Sequence, residues 1–178
     1  RFLGGIGIGQ KLYWDALTEP KNAFDPANPL IMMTGPLAGT TAPAAPRISI
    51  CGKSPCIHPE TFVHASLGGS FPARLKKAGF DGIVLRGKTE HPVYLHIADG
   101  TARLQDARHL WGKGNHQTQS LLKEHCGKDS AAVSIGPAAE SGTRIGVLLG
   151  DTASSASMGF GSVMGSKNLK AIVVQGSR

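Results

Sequence analysis

Short runs of β-branched and aliphatic residues recur along the chain, each closed by glycine, proline or a polar pair. Leu30–Thr34, Arg47–Cys51, Gly82–Arg86, Val93–Ala98, Thr101–Leu104, Ala131–Ile135, Arg144–Leu149 and Lys170–Gln175 have the length and composition of strands. Asp99-Gly100 joins two of these runs with residues that accept positive φ, which predicts a tight hairpin. Helical spacing occurs over Gln10–Leu17, Phe71–Ala78 and Asn115–His125, the last with Leu121 and Leu122 turned inward and Gly127 placed as its C-terminal cap. Strands outnumber these few short helices, so the pattern predicts an α+β domain rather than regular βαβ alternation.

The pattern also repeats. "LIMMTGPLAG", "RISICG" and "FPARLKKAGFDGIVLRGK" are echoed in the same order by "AAVSIGPAAESG", "RIGVLLGD" and "FGSVMGSKNLKAIVVQGS", with Gly35-Pro36 and Gly136-Pro137 as anchors. Each unit reads strand, Gly-Pro turn, strand, glycine-rich loop, helix, strand. Two β-sheets related by an internal pseudo-twofold are expected.

Composition narrows the class. With 178 residues, 40% of them hydrophobic, the chain is the size of one domain with a true core. Its longest apolar runs, such as Leu30–Met33 and Ala171–Val174, fall far short of the roughly 20 residues a membrane helix needs, so no membrane role is expected. Three cysteines make no even disulfide framework, which favours a reducing, cytoplasmic setting. The opening at Arg1 rather than Met reads as an N-terminally truncated piece of a longer chain. A formal charge of +7 suits an anionic partner, but with 6% aromatics and no base-stacking motif a nucleic acid is disfavoured against a phosphate-bearing cofactor.

Three glycine-rich stretches carry the candidate chemistry. "LGGIGIG" near the N-terminus, "SLGGSF" at Ser66 to Phe71 and "SSASMGFGSVMGSKNLK" at Ser154 to Lys170 each lead toward a helix, where backbone N–H groups can approach a phosphate. No strand precedes the first in this sequence, so a tight loop explains it better than a dinucleotide fingerprint. The second and third have cations downstream: Arg74, Lys76 and Lys77, then Lys167 and Lys170. Cys51, Cys56, His58 and His64 lie close together, but their spacing matches no common zinc knuckle. Glu140 and Asp151 lie near loops without forming an acid and base pair, and no catalytic residue is assigned.

The segments "TGPLAGTTAP", "GKSP", "AGFDGIVLRGK", "HPVYLHIADG", "DARHLWGKG", "SIGPAAESG" and "VMGSKNLKAIVVQGS" together resemble the N-terminal domain of the tungsten-containing aldehyde:ferredoxin oxidoreductase family, in its order and spacing. The resemblance covers residues 1–178 and implies a base under a tungsten (or molybdenum) bis-molybdopterin, with magnesium bridging the pterin phosphates. A [4Fe-4S] cluster would lie in later domains absent from this sequence. It further implies aldehyde as substrate and ferredoxin as electron acceptor, and leaves a homo-oligomer open. Alone, this piece is expected to be inactive.

Carried over position by position, Arg47 matches a family arginine near the pterin, and Gly68 and Gly69 match the glycines of the "NSGG" loop. Ser66 replaces the asparagine used near the magnesium and is the expected metal-side residue, with Ser154 a further cofactor contact. Three familiar arginines are missing: "GSRG" reads Gly4-Gly5-Ile6-Gly7, and "RAAGRGG" reads Ala153-Ser154-Ser155-Ala156-Ser157-Met158-Gly159. A short insertion spans His58 to Phe62. The departing stretches look more like the aromatic-thioester (benzoyl-CoA type) reductases, which is the alternative reading. A non-catalytic binding or assembly module that keeps the fold without the cofactor is the other.

Overall fold

The computed structural model describes residues 2–16, 22–151 and 154–177. In chain order the elements are α1 (Gly5–Asp15), β1 (Leu30–Thr34), β2 (Ile48–Lys53), β3 (Phe62–Leu67), α2 (Phe71–Lys77), β4 (Gly82–Leu85), β5 (Val93–Ala98), β6 (Thr101–Asp106), α3 (Asn115–Cys126), β7 (Ala131–Ser134), α4 (Pro137–Glu140), β8 (Leu148–Gly150), β9 (Ser155–Ala156), α5 (Phe160–Ser166) and β10 (Leu169–Gln175). They build a four-stranded sheet of order β3-β2-β1-β4 and a six-stranded sheet of order β6-β5-β10-β7-β8-β9. Among the described residues only β5 and β10 run parallel; every other neighbouring pair is antiparallel. The α+β class and the paired sheets are as the periodicity predicts.

The repeat is realised strand for strand, with β3-β2-β1-β4 matching β9-β8-β7-β10. Met33 pairs with Ser49 and Gly82, and its counterpart Ser134 pairs with Leu149 and Ala171. Ser49 in turn faces Ser66, as Leu149 faces Ser155. Beyond these serines the two loops lead to Phe71 and Phe160, both fully buried at the first position of their helices. Even the backbone conformation is kept: Gly69 and Met158 correspond and have φ of 94° and 61°. Cutting either phenylalanine to alanine should cost roughly 3–5 kcal/mol, because both fill the shared core.

One register differs from the sequence echo. Arg47 and Arg144 begin matching strings, yet the counterpart of Arg47 is Val147, since Arg47 directly precedes β2 and Val147 directly precedes β8. Arg144 is drawn away: its Nε donates to the Pro55 carbonyl at 2.7 Å and its guanidinium pairs with Glu60 at 2.5 Å. The expected strand over Arg144–Leu149 is therefore confined to Leu148–Gly150.

Two other local expectations change. "GIGIG" is helical from Gly5 onward rather than a loop ahead of Gln10, because a glycine at position 9 lets α1 lie directly on the sheet: a Cβ there would fall 2.8 Å from Cys51 Sγ. Leu17, the end of the expected helix, lies outside the described residues. Ser66 and Leu67, read as the start of a glycine-rich loop, belong to β3, where Val63, Ala65 and Leu67 pack toward the core while His64 and Ser66 are exposed.

One core joins the inner faces of both sheets with α2 and α5. The helices cross over: α2 packs on β7 and β10, and α5 reaches β1 and β2, so each half completes the other. Outside this core, α1 covers Ile31, Met33 and Cys51 on one sheet, and α3 covers Tyr94, Ala132 and Val173 on the other. Asp99 and Gly100 form the expected hairpin turn, with φ of 35° and 89°. Gly127 caps α3 with φ of 103° and donates to the Lys123 carbonyl.

Candidate functional site

The pseudo-twofold brings the ends of β3 and β9 together, and with them the second and third glycine-rich stretches. The Gly68 N–H donates to Ser154 Oγ at 2.9 Å. A Cβ on Gly68 would lie 3.6 Å from Arg47 Nη1 and 3.6 Å from Ser154 Oγ. Three residues from distant parts of the sequence, Arg47, Gly68 and Ser154, therefore converge on a spot left open by the absence of a side chain. Gly69 follows in the left-handed region that favours glycine and turns the chain into α2.

Ser66 stands two residues before Gly68, exposed on β3 and paired in register with Ser49. Ser49 Oγ in turn lies 3.5 Å from the position of a Cβ on Gly5, and Gly4 approaches the Thr34 carbonyl and Pro36. The first glycine-rich stretch thus sits against the outer face of the same sheet as Ser66. Ala153, the position of one missing arginine, lies outside the described residues.

The electrostatics favour an anion. Arg47 is exposed, and among the described residues no ion pair engages its guanidinium, so its planar set of donors is free for a phosphate or carboxylate. Four of the five cations downstream of the loops have other partners. Arg74 donates to the Gly176 carbonyl at 3.3 Å, Lys76 pairs with Asp81, and Lys170 is fully buried against Glu140 and the carbonyls of Lys113 and Ile135. Lys167 donates to the Pro26 carbonyl at 3.1 Å, and burial pulls its pKa down to about 8 against the opposing pull of Asp25. Arg74 and Lys76 lie in the last turn of α2, Lys167 just past the end of α5, and Lys170 in β10.

Sequence reasoning missed one link. The Ser70 hydroxyl donates to Asp151 Oδ2, tying the second glycine-rich loop to the end of β8, while Asp151 Oδ1 is buried without a hydrogen-bond partner among the described residues. An unsatisfied buried acceptor costs roughly 1–3 kcal/mol. No local pattern links Ser70 with Asp151, which are far apart in the chain. Cys51 and His64 are cross-strand neighbours, but Cys51 is buried beneath α1 and its thiol is pushed up to about 12 by that burial. Cys56 Sγ instead donates to the Arg144 carbonyl, and among the described residues no three metal-ligating side chains converge.

Residues 1–176 match the family described as aldehyde ferredoxin oxidoreductase, N-terminal domain. The chain belongs to this family. It is 42% identical over 180 residues to a tungsten-containing aldehyde ferredoxin oxidoreductase of Pyrococcus abyssi, covering 100% of this chain and 29% of that protein. An aliphatic sulfonate oxidoreductase, WOR-like subunit, of Pyrococcus furiosus is 36% identical over 99% of this chain and 30% of its own length. Among solved structures, the active site complex BamBC of benzoyl coenzyme A reductase with 1,5-dienoyl-CoA superposes with a TM-score of 0.94 at 34% identity, over 99% of this chain and 27% of that chain. This chain spans less than a third of the length of these relatives. The family is one of oxidoreductases, and no described helix is long and apolar enough to cross a membrane.

Proposed function

We propose that this chain is the cofactor platform of a tungsten or molybdenum oxidoreductase that oxidises aldehydes to carboxylic acids and passes the electrons to ferredoxin. The observation that carries this reading is the convergence of Arg47, Gly68 and Ser154. A phosphate-bearing pterin fits what is present: an unpaired guanidinium, a glycine whose Cβ would fill the approach, and small hydroxyl residues in place of bulk. Arg47 would hold phosphate, Gly68 and Gly69 would let the ligand reach the backbone, Ser154 would keep the two loops in register, and Ser66 would serve the magnesium side. When bound, the metal and its pterins supply two-electron redox chemistry at the aldehyde carbon. The chain's own part is to bind and orient that group. The iron–sulfur cluster and the substrate pocket belong to the remainder of the parent protein, whose setting is the cytoplasm.

The test is elemental analysis with pterin fluorescence on the anaerobically purified full-length protein, beside its Arg47→Ala and Ser66→Ala variants. About one tungsten or molybdenum per chain, reduced in both variants, is the expected result. Metal-free, pterin-free wild type would instead support a binding or assembly module.

A second reading, reduction of an aromatic thioester, is favoured by the serine-rich third loop and the likeness to the BamBC complex. Assaying the loaded protein with an aldehyde and with an aromatic coenzyme A thioester separates the two.

A further inference from the structure

The turn between β8 and β9 is fastened to the second glycine-rich loop at both of its ends. The Gly150 N–H donates to the Ser154 carbonyl at 2.7 Å and closes the turn. A Cβ on Gly150 would lie 3.3 Å from Leu67 Cδ2 and from that carbonyl, so bare backbone lets the turn settle against the end of β3. At its far end Ser154 Oγ accepts the Gly68 N–H, and at its near end Asp151 Oδ2 accepts the Ser70 hydroxyl. The three-residue stretch 68–70 thus has Arg47 beside its first member and Asp151 bonded to its last.

By charge, Asp151 is out of place. Arg47 suits the cradle to an anion, yet Asp151 brings a second carboxylate-bearing wall to it, and no cation among the described residues pairs with it. Its Oδ1 is shielded from solvent and receives no hydrogen bond. A charge taken out of water is costly unless it is paired, and a carboxylate facing a phosphate adds like-charge repulsion. The neighbouring loops offer no relief, since residues 4–9 and 153–159 carry no charged side chain.

A hydrated divalent cation removes both conflicts. Such an ion takes most of its ligands from phosphate and water and only one or two from protein carboxylates, so it needs no cluster of three metal-ligating side chains, and none occurs among the described residues. We infer that Asp151 anchors the hydrated divalent cation that neutralises the phosphates of the bound cofactor, its carboxylate accepting hydrogen bonds from the water of that ion. Ser70 is the positioning residue that holds the carboxylate toward the loop. The inference rests on the reading of these loops as a cradle for a phosphate-bearing cofactor and adds a carboxylate to the cation side, where Ser66 alone was expected.

The test uses the anaerobically purified full-length protein with its divalent cation exchanged for Mn2+. Mn2+ affinity is read by EPR titration, with pterin content measured in the same samples. Asp151→Asn keeps the shape and an acceptor for Ser70 but removes the charge. The expected result is Mn2+ binding at least about tenfold weaker than in pterin-loaded wild type. A residue that merely packs gives the opposite sign, because losing its charge relieves repulsion of the phosphates. A pterin-loaded Asp151→Asn protein that binds Mn2+ as tightly as wild type therefore overturns the inference and leaves the cofactor platform standing. Wild type without pterin overturns both. If Asp151→Asn fails to fold or to load pterin, Ser70→Ala decides, since it keeps the carboxylate and removes the bond that orients it. Weaker Mn2+ binding in that variant supports the inference, and wild-type affinity overturns it.

Discussion

Ser154 Oγ accepts the backbone N–H of Gly68 at 2.9 Å, and this bond ties the glycine-rich loop of one half of the domain to that of the other. Ser154→Ala leaves the N–H without its acceptor at a part-buried position. The expected loss is about 0.5–1.5 kcal/mol, read as a lower Tm of the full-length protein by calorimetry, with a parallel drop in bound tungsten and pterin.

Gly68 and Gly69 should separate stability from binding. Gly68 is not in the left-handed region, and a methyl there meets its neighbours at 3.6 Å, an ordinary contact. Gly68→Ala is therefore expected to leave folding stability unchanged or raised by up to about 1 kcal/mol, while the methyl obstructs the approach to Arg47 and lowers pterin content. Gly69, with φ of 94°, is different. Gly69→Ala should cost roughly 1–2 kcal/mol through backbone strain alone. Urea unfolding beside pterin fluorescence distinguishes the two effects.

Glu140 and Lys170 form a buried pair, with side chains 5% and 0% exposed. Glu140→Ala strands the ammonium of Lys170 in the interior and removes the acceptor for the Gly112 N–H. A loss of about 3–5 kcal/mol is expected. Combining it with Lys170→Met should recover a large part of that loss, which a double-mutant cycle by chemical denaturation would measure.

Cys51 gives a pH dependence with a definite sign. Burial raises its pKa from 9.0 to about 12, so between these values the folded protein keeps a proton that the unfolded chain releases. Its contribution to stability is fully present below pH 9 and is lost as pH rises toward 12. Cys51→Ala should make the alkaline limb of the stability curve shallower by up to about 1.4 kcal/mol per pH unit, as followed by urea unfolding across that range.

Much of this protein was legible in its sequence. The β-branched runs, the Asp99-Gly100 turn and the Gly-Pro anchored repeat depend on local conformational preference and on residue order, so they predicted the α+β class, the β5–β6 hairpin and the paired sheets. The family motifs likewise singled out Arg47, Gly68 and Ser154 before their proximity was known. The remainder depended on contacts between distant residues. β3 was hidden because His64, Ala65 and Ser66 have weak strand preference and gain their place by pairing with β2. The glycines of α1 read as a loop until the sheet beneath them required close approach. Arg47 and Arg144 looked equivalent because strings can match while strand registers do not. Only the tertiary structure decided which cations face the loops and which are buried as partners for carbonyls and Glu140, since charge is written in the sequence but its desolvation and pairing are set by packing.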